Sequence, residues 1–262
     1  MSEPIIVTEV QNGIARIWLN RPEVHNAFDA AVIATLTGTL RELDCDAGVR
    51  VLVLGGRGRS FCAGASLDWM RRMATYTEAE NLRDASALAK MLHTLHSFSR
   101  PTVARVHGAA LAGATGLVAA CDIAVAEIDA MFGTTEVRLG LIPATISPYV
   151  IAAIGSRAAG RYFLTGEKFD ARQALALGLV HEVCEMQDLD SRVEDVCRAL
   201  LAGGPQAQRA AKALVRDVAG SRIDQALLDD TSRRIAEARV GAEARDGLTA
   251  FFDKRAPFWR MA

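Results

Sequence analysis

Two short stretches rich in glycine and alanine carry the chemistry that this chain can do with its backbone. In TVARVHGAALAG a short buried strand, Thr102 to Val106, runs into a small-residue turn, Gly108 to Gly113, and Ala114 to Ala120 continues as a helix. The first amides of a helix have no acceptor within it. Residues without bulk ahead of that start let a ligand oxygen come close, and the helix dipole favours negative charge at that end. The run Val51 to Leu54 followed by GGRGRSFCAGAS repeats the arrangement ahead of a segment that begins at Leu67. Two such turns can supply two N–H donors to one oxyanion. The same glycines and alanines serve equally well to permit tight turns and close packing, and the residues alone leave both readings open. His93 and His96 stand three apart, a spacing that can put two imidazoles on one side of a helix as metal ligands. No nearby residue completes a ligand set, so solvated or hydrogen-bonded histidines are expected.

The elements that must position these turns are read from pattern. Pro4 to Asn20 forms two apolar strands around Asn12-Gly13, a dipeptide suited to a tight hairpin turn. Asp29 caps a helix whose apolar positions Val32, Ile33, Leu36, Leu40 and Leu43 recur at helical spacing. A second helix runs from Thr77 to Ser97, with Leu82, Ala85, Leu88, Leu92 and Leu95 on one face. Further strands fall at Val51 to Leu54 and Ile123 to Ala126, and helices alternating with strands predict a parallel sheet rather than a sandwich. From Ser156 onward strands largely cease. Helices are expected near Ala158 to Leu164, Asp170 to Leu177, Asp190 to Leu201, Pro205 to Val218, Ile223 to Val240 and Ala242 to Phe252, with a strand after Gly178. Phe251, Phe252, Phe258 and Trp259 gather aromatic surface at the end, where it is expected to dock on something.

A chain of 262 residues buries about three quarters of its extended surface, enough for one substantial core plus an appendage. The formal net charge of -1 gives no reason to expect a polyanion as principal partner. Five scattered cysteines with no CxxC pair fit a reducing compartment. The opening MSEPIIVTEV lacks the basic start and long apolar core of a secretory signal. Ala109 to Cys121, the most apolar later run, stops at Asp122, short of the roughly 18 residues of a membrane span. A soluble, cytoplasmic protein is expected, bound neither to nucleic acid nor to membrane.

Six pieces, in this order and spacing, carry a resemblance: LNRPEVHNAF, SFCAGASLDWM, VHGAALAGATGLVAACDIAVA, FGTTEVRLGLIP, LTGEKFDARQALALGLVHEV and FFDKRAPFW. Along essentially its whole length the chain resembles the crotonase, or enoyl-CoA hydratase/isomerase, superfamily. The resemblance implies an α/β fold, with a crotonase-like spiral of ββα units over residues 1–195 and a helical trimerisation region over residues 196–262. It implies a homotrimer or a hexamer built as a dimer of trimers, with an acyl-CoA thioester as substrate, no other cofactor and no metal. It assigns the two oxyanion donors to Ala65 and Gly113. It lays CoA along Val24, the backbone of Ala63, Ala65, Ser66, Leu67 and Asp68, and Gly113, with Phe251 and Lys254 as candidate contacts from a neighbouring subunit. Cys62 is then a small hydrophobe beside the ligand, since no histidine accompanies it at readable spacing.

The resemblance also exposes departures. Glu136 matches the second of the two catalytic glutamates in the best-known hydratases, whereas the first corresponds to Gly116, so that carboxylate is absent. Ser66 stands where an aspartate usually follows the oxyanion alanine, and IPATISPYV replaces the usual IPGAGGTQRL. AGASLDWMRRM, GLVAACDIA, TEVRLG, IPATISPYV and RYFLTGEKFDA together resemble the methylglutaconyl-CoA hydratase branch, which belongs to leucine catabolism and has relatives that handle isohexenylglutaconyl-CoA. The implied reaction adds water to a branched enoyl-CoA bearing a second carboxylate, for which Arg71, Arg72 and Arg138 are candidate cations, or else residues of an ordinary solvated face. Glu136 is expected to act as sole carboxylate base, the alternative being a surface carboxylate paired with Arg138. Two other functions remain open: a Δ3,Δ2-enoyl-CoA isomerase using the one glutamate, and a non-catalytic acyl-CoA binder or AU-rich-RNA-associated relative. The near-neutral charge argues against RNA.

Overall fold

The computed structural model describes residues 3–260; residues 1, 2, 261 and 262, the outer ends of the two expected regions, lie outside the described residues. Strands β1 (Ile6–Gln11) and β2 (Ile14–Leu19) pair antiparallel across Asn12-Gly13. Both turn residues have positive φ, 52° and 77°, as a two-residue hairpin loop with the right twist demands. Helix α1 (Ala30–Cys45) starts where Asp29 accepts a 2.9 Å hydrogen bond from the Val32 amide, and it buries Val32, Ile33, Leu36, Leu40 and Leu43 as its spacing predicts. Strand β3 (Val51–Gly56) follows, then α2 (Leu67–Met73) and α3 (Glu78–His96), the latter begun by a capping box between Thr77 and Glu80. On α3 the expected apolar face is only half realised: Leu92 and Leu95 are buried with Met91, while Leu82 is 66% exposed and Ala85 is also exposed.

Next come β4 (Thr102–Val106), β5 (Ala109–Leu111), α4 (Gly113–Ala120), β6 (Ile123–Glu127) and β7 (Met131–Gly133). Helix α5 (Ser147–Thr165) contains a break at Gly155, where φ is 74°, so the helix expected near Ala158 to Leu164 is its second half. The chain continues through β8 (Lys168–Asp170), α6 (Ala171–Leu177), β9 (Glu182–Cys184), α7 (Leu189–Ala202), α8 (Pro205–Val218), α9 (Gln225–Val240) and α10 (Ala242–Phe252).

The strands make two sheets. One has six strands in the order β1-β2-β3-β4-β6-β9, parallel throughout except for β1; the other has the order β5-β7-β8. Strand β3 shows why the large sheet lies between layers. Leu52 and Leu54 point into the main core with α1 and α3, while Val51 and Val53 point the other way, against Leu189, Val193 and Cys197 of α7. The boundary expected at residue 196 lies within α7, a helix packed on the sheet, and α8 follows it. Lys212 ties α8 back: it is 9% exposed, and its Nζ donates to Asp122 at 2.6 Å and to the Arg100 carbonyl at 3.0 Å. Trp259 docks on the end of α7 through the Ala202 carbonyl and lies over Gly247 of α10, where an added Cβ would come within 2.9 Å of the ring.

Candidate active site

The two small-residue turns lie side by side because β-type bridges lock them together. Cys62 pairs with Ala110 through two backbone bonds, Cys62 N–H to the Ala109 carbonyl (2.9 Å) and Leu111 N–H to the Cys62 carbonyl (3.1 Å). A second bridge joins Phe28 to Ala65. It uses the Gly64 carbonyl and the Ser66 amide, both bonded to Phe28 at 2.7 Å, and so leaves the amide of Ala65 itself unused. Gly64, at φ 96°, makes the turn possible: a Cβ there would lie 3.1 Å from the Leu111 carbonyl oxygen. On the neighbouring turn Ala112 holds φ 52° and ψ -120°, a conformation uncommon for a residue with a side chain, and donates its own amide to the Gly133 carbonyl at 2.7 Å. Gly113 is the first residue of α4, so its amide has no intrahelical acceptor, and among the described residues it finds none elsewhere. Two adjoining loops thus present two unpaired N–H groups, the inventory that an oxyanion-binding site requires.

Glu136 opens a 3-10 turn, Glu136–Leu139, just beyond β7. The site's backbone holds that segment in place: the Gly133 carbonyl accepts from Ala112 N–H, and the Gly133 amide donates to the Thr115 hydroxyl of α4 (3.3 Å). The residue is half-buried, but its Oε2 is sealed from solvent with no hydrogen-bond partner among the described residues, and desolvation raises its pKa above the ordinary value. It makes no ion pair with Arg138, whose side chain lies instead against Gly166. At Gly116 the wall of α4 meets α5 with no space to spare. A Cβ on Gly116 would lie 2.2 Å from Ile146 Cγ2 and 2.7 Å from Ile146 Cβ, so the isoleucine fills the volume into which any side chain at position 116 would project. An unpaired, desolvated carboxylate of raised pKa is suited to taking up and returning a proton.

The enoyl-CoA hydratase/isomerase family model matches residues 9–261. The chain belongs to the enoyl-CoA hydratase/isomerase family. Its fold is the α/β crotonase fold of that family, and solved structures superpose over nearly all of it. An enoyl-CoA hydratase from Shewanella pealeana has 42% identity and a TM-score of 0.95, with 98% of this chain and 96% of that one covered. Pseudomonas aeruginosa AtuE has 38% identity and a TM-score of 0.92, with 98% and 99% covered. A short-chain-enoyl-CoA hydratase of Clostridium acetobutylicum is 28% identical over 252 residues, 95% of each chain.

The other residues expected to contact ligand in this family member fall into two groups. Val24, Leu67 and Asp68 are exposed, and Ala63, Ala65, Ser66 and Gly113 are half-buried, all on or beside the paired loops. Ser66 serves as N-cap of α2, its hydroxyl accepting from Trp69 N–H at 3.2 Å. Phe251 and Lys254 lie at the far end of α10, Phe251 being 77% exposed. Arg71 is engaged by Asp68 at 2.8 Å, whereas Arg72 and Arg138 are exposed and have no ion pair among the described residues. Cys62 is fully buried with its thiol pushed up to about 12, which suits a packing residue. No metal-competent cluster exists among the described residues; His96 lies with its ring 5.2 Å from that of Tyr149. These two rings border a cavity of about 440 Å3 beside the C-terminal end of α4, lined also by Asp122 and His181. The sequence marks Ile146 as a change near the site but not its packing over Gly116, and it gives no sign of the buried hydroxyl of Thr134. Ile146 stands in the departure IPATISPYV, but only the fold brings it to α4.

Proposed function

We propose that this protein is an enoyl-CoA hydratase that adds water across the double bond of a branched 2-enoyl-CoA, one bearing a second carboxylate. The observation that carries the reading is the half-buried Glu136 carboxylate with its sealed Oε2 unpartnered, in a chain whose paired loops leave the Ala65 and Gly113 amides free among the described residues. Glu136 takes a proton from water as the water oxygen bonds to the β-carbon. The double-bond electrons move toward the thioester, and the resulting enolate oxygen is held by the two amides, which bind it better than they bind the neutral carbonyl. The protonated Glu136 then returns its proton to the α-carbon. Water's two hydrogens and one oxygen are all accounted for, and the carboxylate ends as it began.

CoA is proposed to lie along Val24, Ala63, Ala65, Ser66, Leu67, Asp68 and Gly113, with Phe251 and Lys254 reaching it from a neighbouring subunit of a trimer. Of the three arginines, Arg72 and Arg138 are the better candidates for a distal acyl carboxylate, because Arg71 already has a partner in Asp68.

The filled space over Gly116 favours a second reading, because one carboxylate suffices to move a proton between two carbons. On that reading the protein is a Δ3,Δ2-enoyl-CoA isomerase. Incubating the protein with 2-enoyl-CoA and with 3-enoyl-CoA thioesters in heavy-oxygen water separates the two. Hydration predicts label in a 3-hydroxyacyl product; positional exchange of the double bond with no label incorporated would replace the hydratase reading with the isomerase. Tight acyl-CoA binding without product from either substrate would point to a carrier.

A further inference from the structure

Three buried side-chain nitrogen or oxygen atoms among the described residues have no hydrogen-bond partner: Arg50 Nε, Thr134 Oγ1 and Glu136 Oε2. The Arg50 guanidinium bonds the Gly203 carbonyl at 2.7 Å through another nitrogen, at the opposite end of β3 from the paired loops. The remaining two atoms stand two residues apart. Thr134 is 1% exposed and so is sealed from bulk solvent. Its neighbour in the site, Thr115, shows that hydroxyls here are ordinarily satisfied: it donates to the Ala110 carbonyl at 2.7 Å and accepts from the Gly133 amide at 3.3 Å. Buried polar groups are rarely left unpaired, and a bound water is a common reason for an apparent exception.

We propose that Thr134 Oγ1 and Glu136 Oε2 together hold one water, and that this water is the nucleophile. Thr135, at φ -88° and ψ 3°, bends the chain between them. Alpha carbons two residues apart are separated by no more than roughly 7 Å. A water bridging two oxygens spans about 5.5 Å, so the two side chains can reach it from one turn. One water hydrogen goes to the Glu136 carboxylate and the other to Thr134 Oγ1, which leaves the lone pairs of the water oxygen to face the cleft. During addition the oxygen bonds to the β-carbon, the first hydrogen passes to Glu136, and the second stays on the product hydroxyl beside Thr134. Thr134 neither gains nor loses a proton; it orients the water where Gly116, walled by Ile146, offers no group to do so. The water site stands on the two orphaned oxygens alone, while its role as nucleophile rests on the hydratase reading.

Two measurements test it. Thr134→Val keeps the shape and removes the hydroxyl. It is expected to lower kcat for hydration roughly tenfold or more, as for a lost orienting hydrogen bond, with KM little changed and the melting temperature retained. Thr134→Ser should regain most of the lost turnover. A high-resolution crystal structure of the unliganded wild-type protein should show a water within about 3.2 Å of both oxygens. Unchanged kcat in Thr134→Val while the wild type hydrates, or electron density with no water between the two atoms, would overturn the proposal. If the wild type hydrates no 2-enoyl-CoA, the hydratase reading and the nucleophile role fail together; the electron density still decides whether the water is there.

Discussion

Desolvation disfavours the charged form of Glu136 more than a hydrogen bond from its own backbone favours it, so its pKa stands above the ordinary carboxylate value, with effects of opposite sign on turnover and stability. A base must be ionised, so the acid limb of the pH profile of kcat/KM is expected above the ordinary glutamate range, with activity lost as pH falls through the raised pKa. The stability sign is reversed. The folded state binds this proton more tightly than the unfolded chain, so the folded state loses stability as pH rises from the unfolded pKa through the folded one. Glu136→Gln should therefore lower kcat by about 100-fold to 10,000-fold and, above the folded pKa, raise the melting temperature, with the stability gain fading at acid pH. Loss of turnover together with loss of stability at neutral pH would mean that the carboxylate is structurally paired in solution. At this scale the sequence was legible only in part. Small-residue turns mark where free amides can be, but whether Ala65 and Gly113 lack acceptors is a tertiary fact, decided by which atoms Phe28 and Gly133 use.

The contact of α4 with α5 decides what the site wall contains. A methyl group at Gly116 meets Ile146 Cγ2 at 2.2 Å, so Gly116→Ala overpacks the interface and is expected to cost about 1–3 kcal/mol, measured by denaturant unfolding. Ile146→Ala leaves a cavity, and by itself should cost about 2–5 kcal/mol. The two changes relieve one another, so the double variant should lose less than the sum by about 0.5–3 kcal/mol; simple additivity would show that the two side chains do not compete for one space. Elements defined by local signals were readable from the chain: the Asn12-Gly13 hairpin, the Asp29-capped α1, and α8 and α10, whose bounds match expectation. The three-residue strands β5, β7 and β8 were not, because three residues are too few to show a period, and pairing with one another is what defines them. Leu82 and Ala85 misled for a related reason. Helical spacing identifies an apolar face but does not say whether anything covers it.

The whole molecule leaves apolar surface uncovered at its helical end. Ile223, Phe251 and Phe252 are 81%, 77% and 75% exposed, and Leu228, Ile235, Val240 and Leu248 are exposed along the same helices. Exposed apolar side chains gathered on these helices fit the subunit contact proposed above. With the proposed trimer, light scattering should give a multiple of the 28.1 kDa chain mass, and Phe251→Asp with Phe252→Asp should reduce it; an unchanged mass would remove these residues from the interface. The attachment of these helices to the core runs through Lys212. Lys212→Met leaves Asp122 without its partner, and since Asp122 is about a third exposed, the loss should fall toward the low end of the about 3–5 kcal/mol typical of a broken buried pair. The strand-rich first part and the helical last third were legible in the chain, and α7, which spans the expected boundary, packs its apolar stripe on the second face of the large sheet.

Ala112 sets two kinds of selection against each other. A conformation of this sort costs a residue with a side chain about 1–3 kcal/mol, and it stands directly ahead of the Gly113 amide. A laboratory screen that rewards heat resistance should accept glycine at position 112, and one that rewards speed should purge it. Lineages of this protein moved between hot and cold habitats would then be expected to record the conflict at that codon.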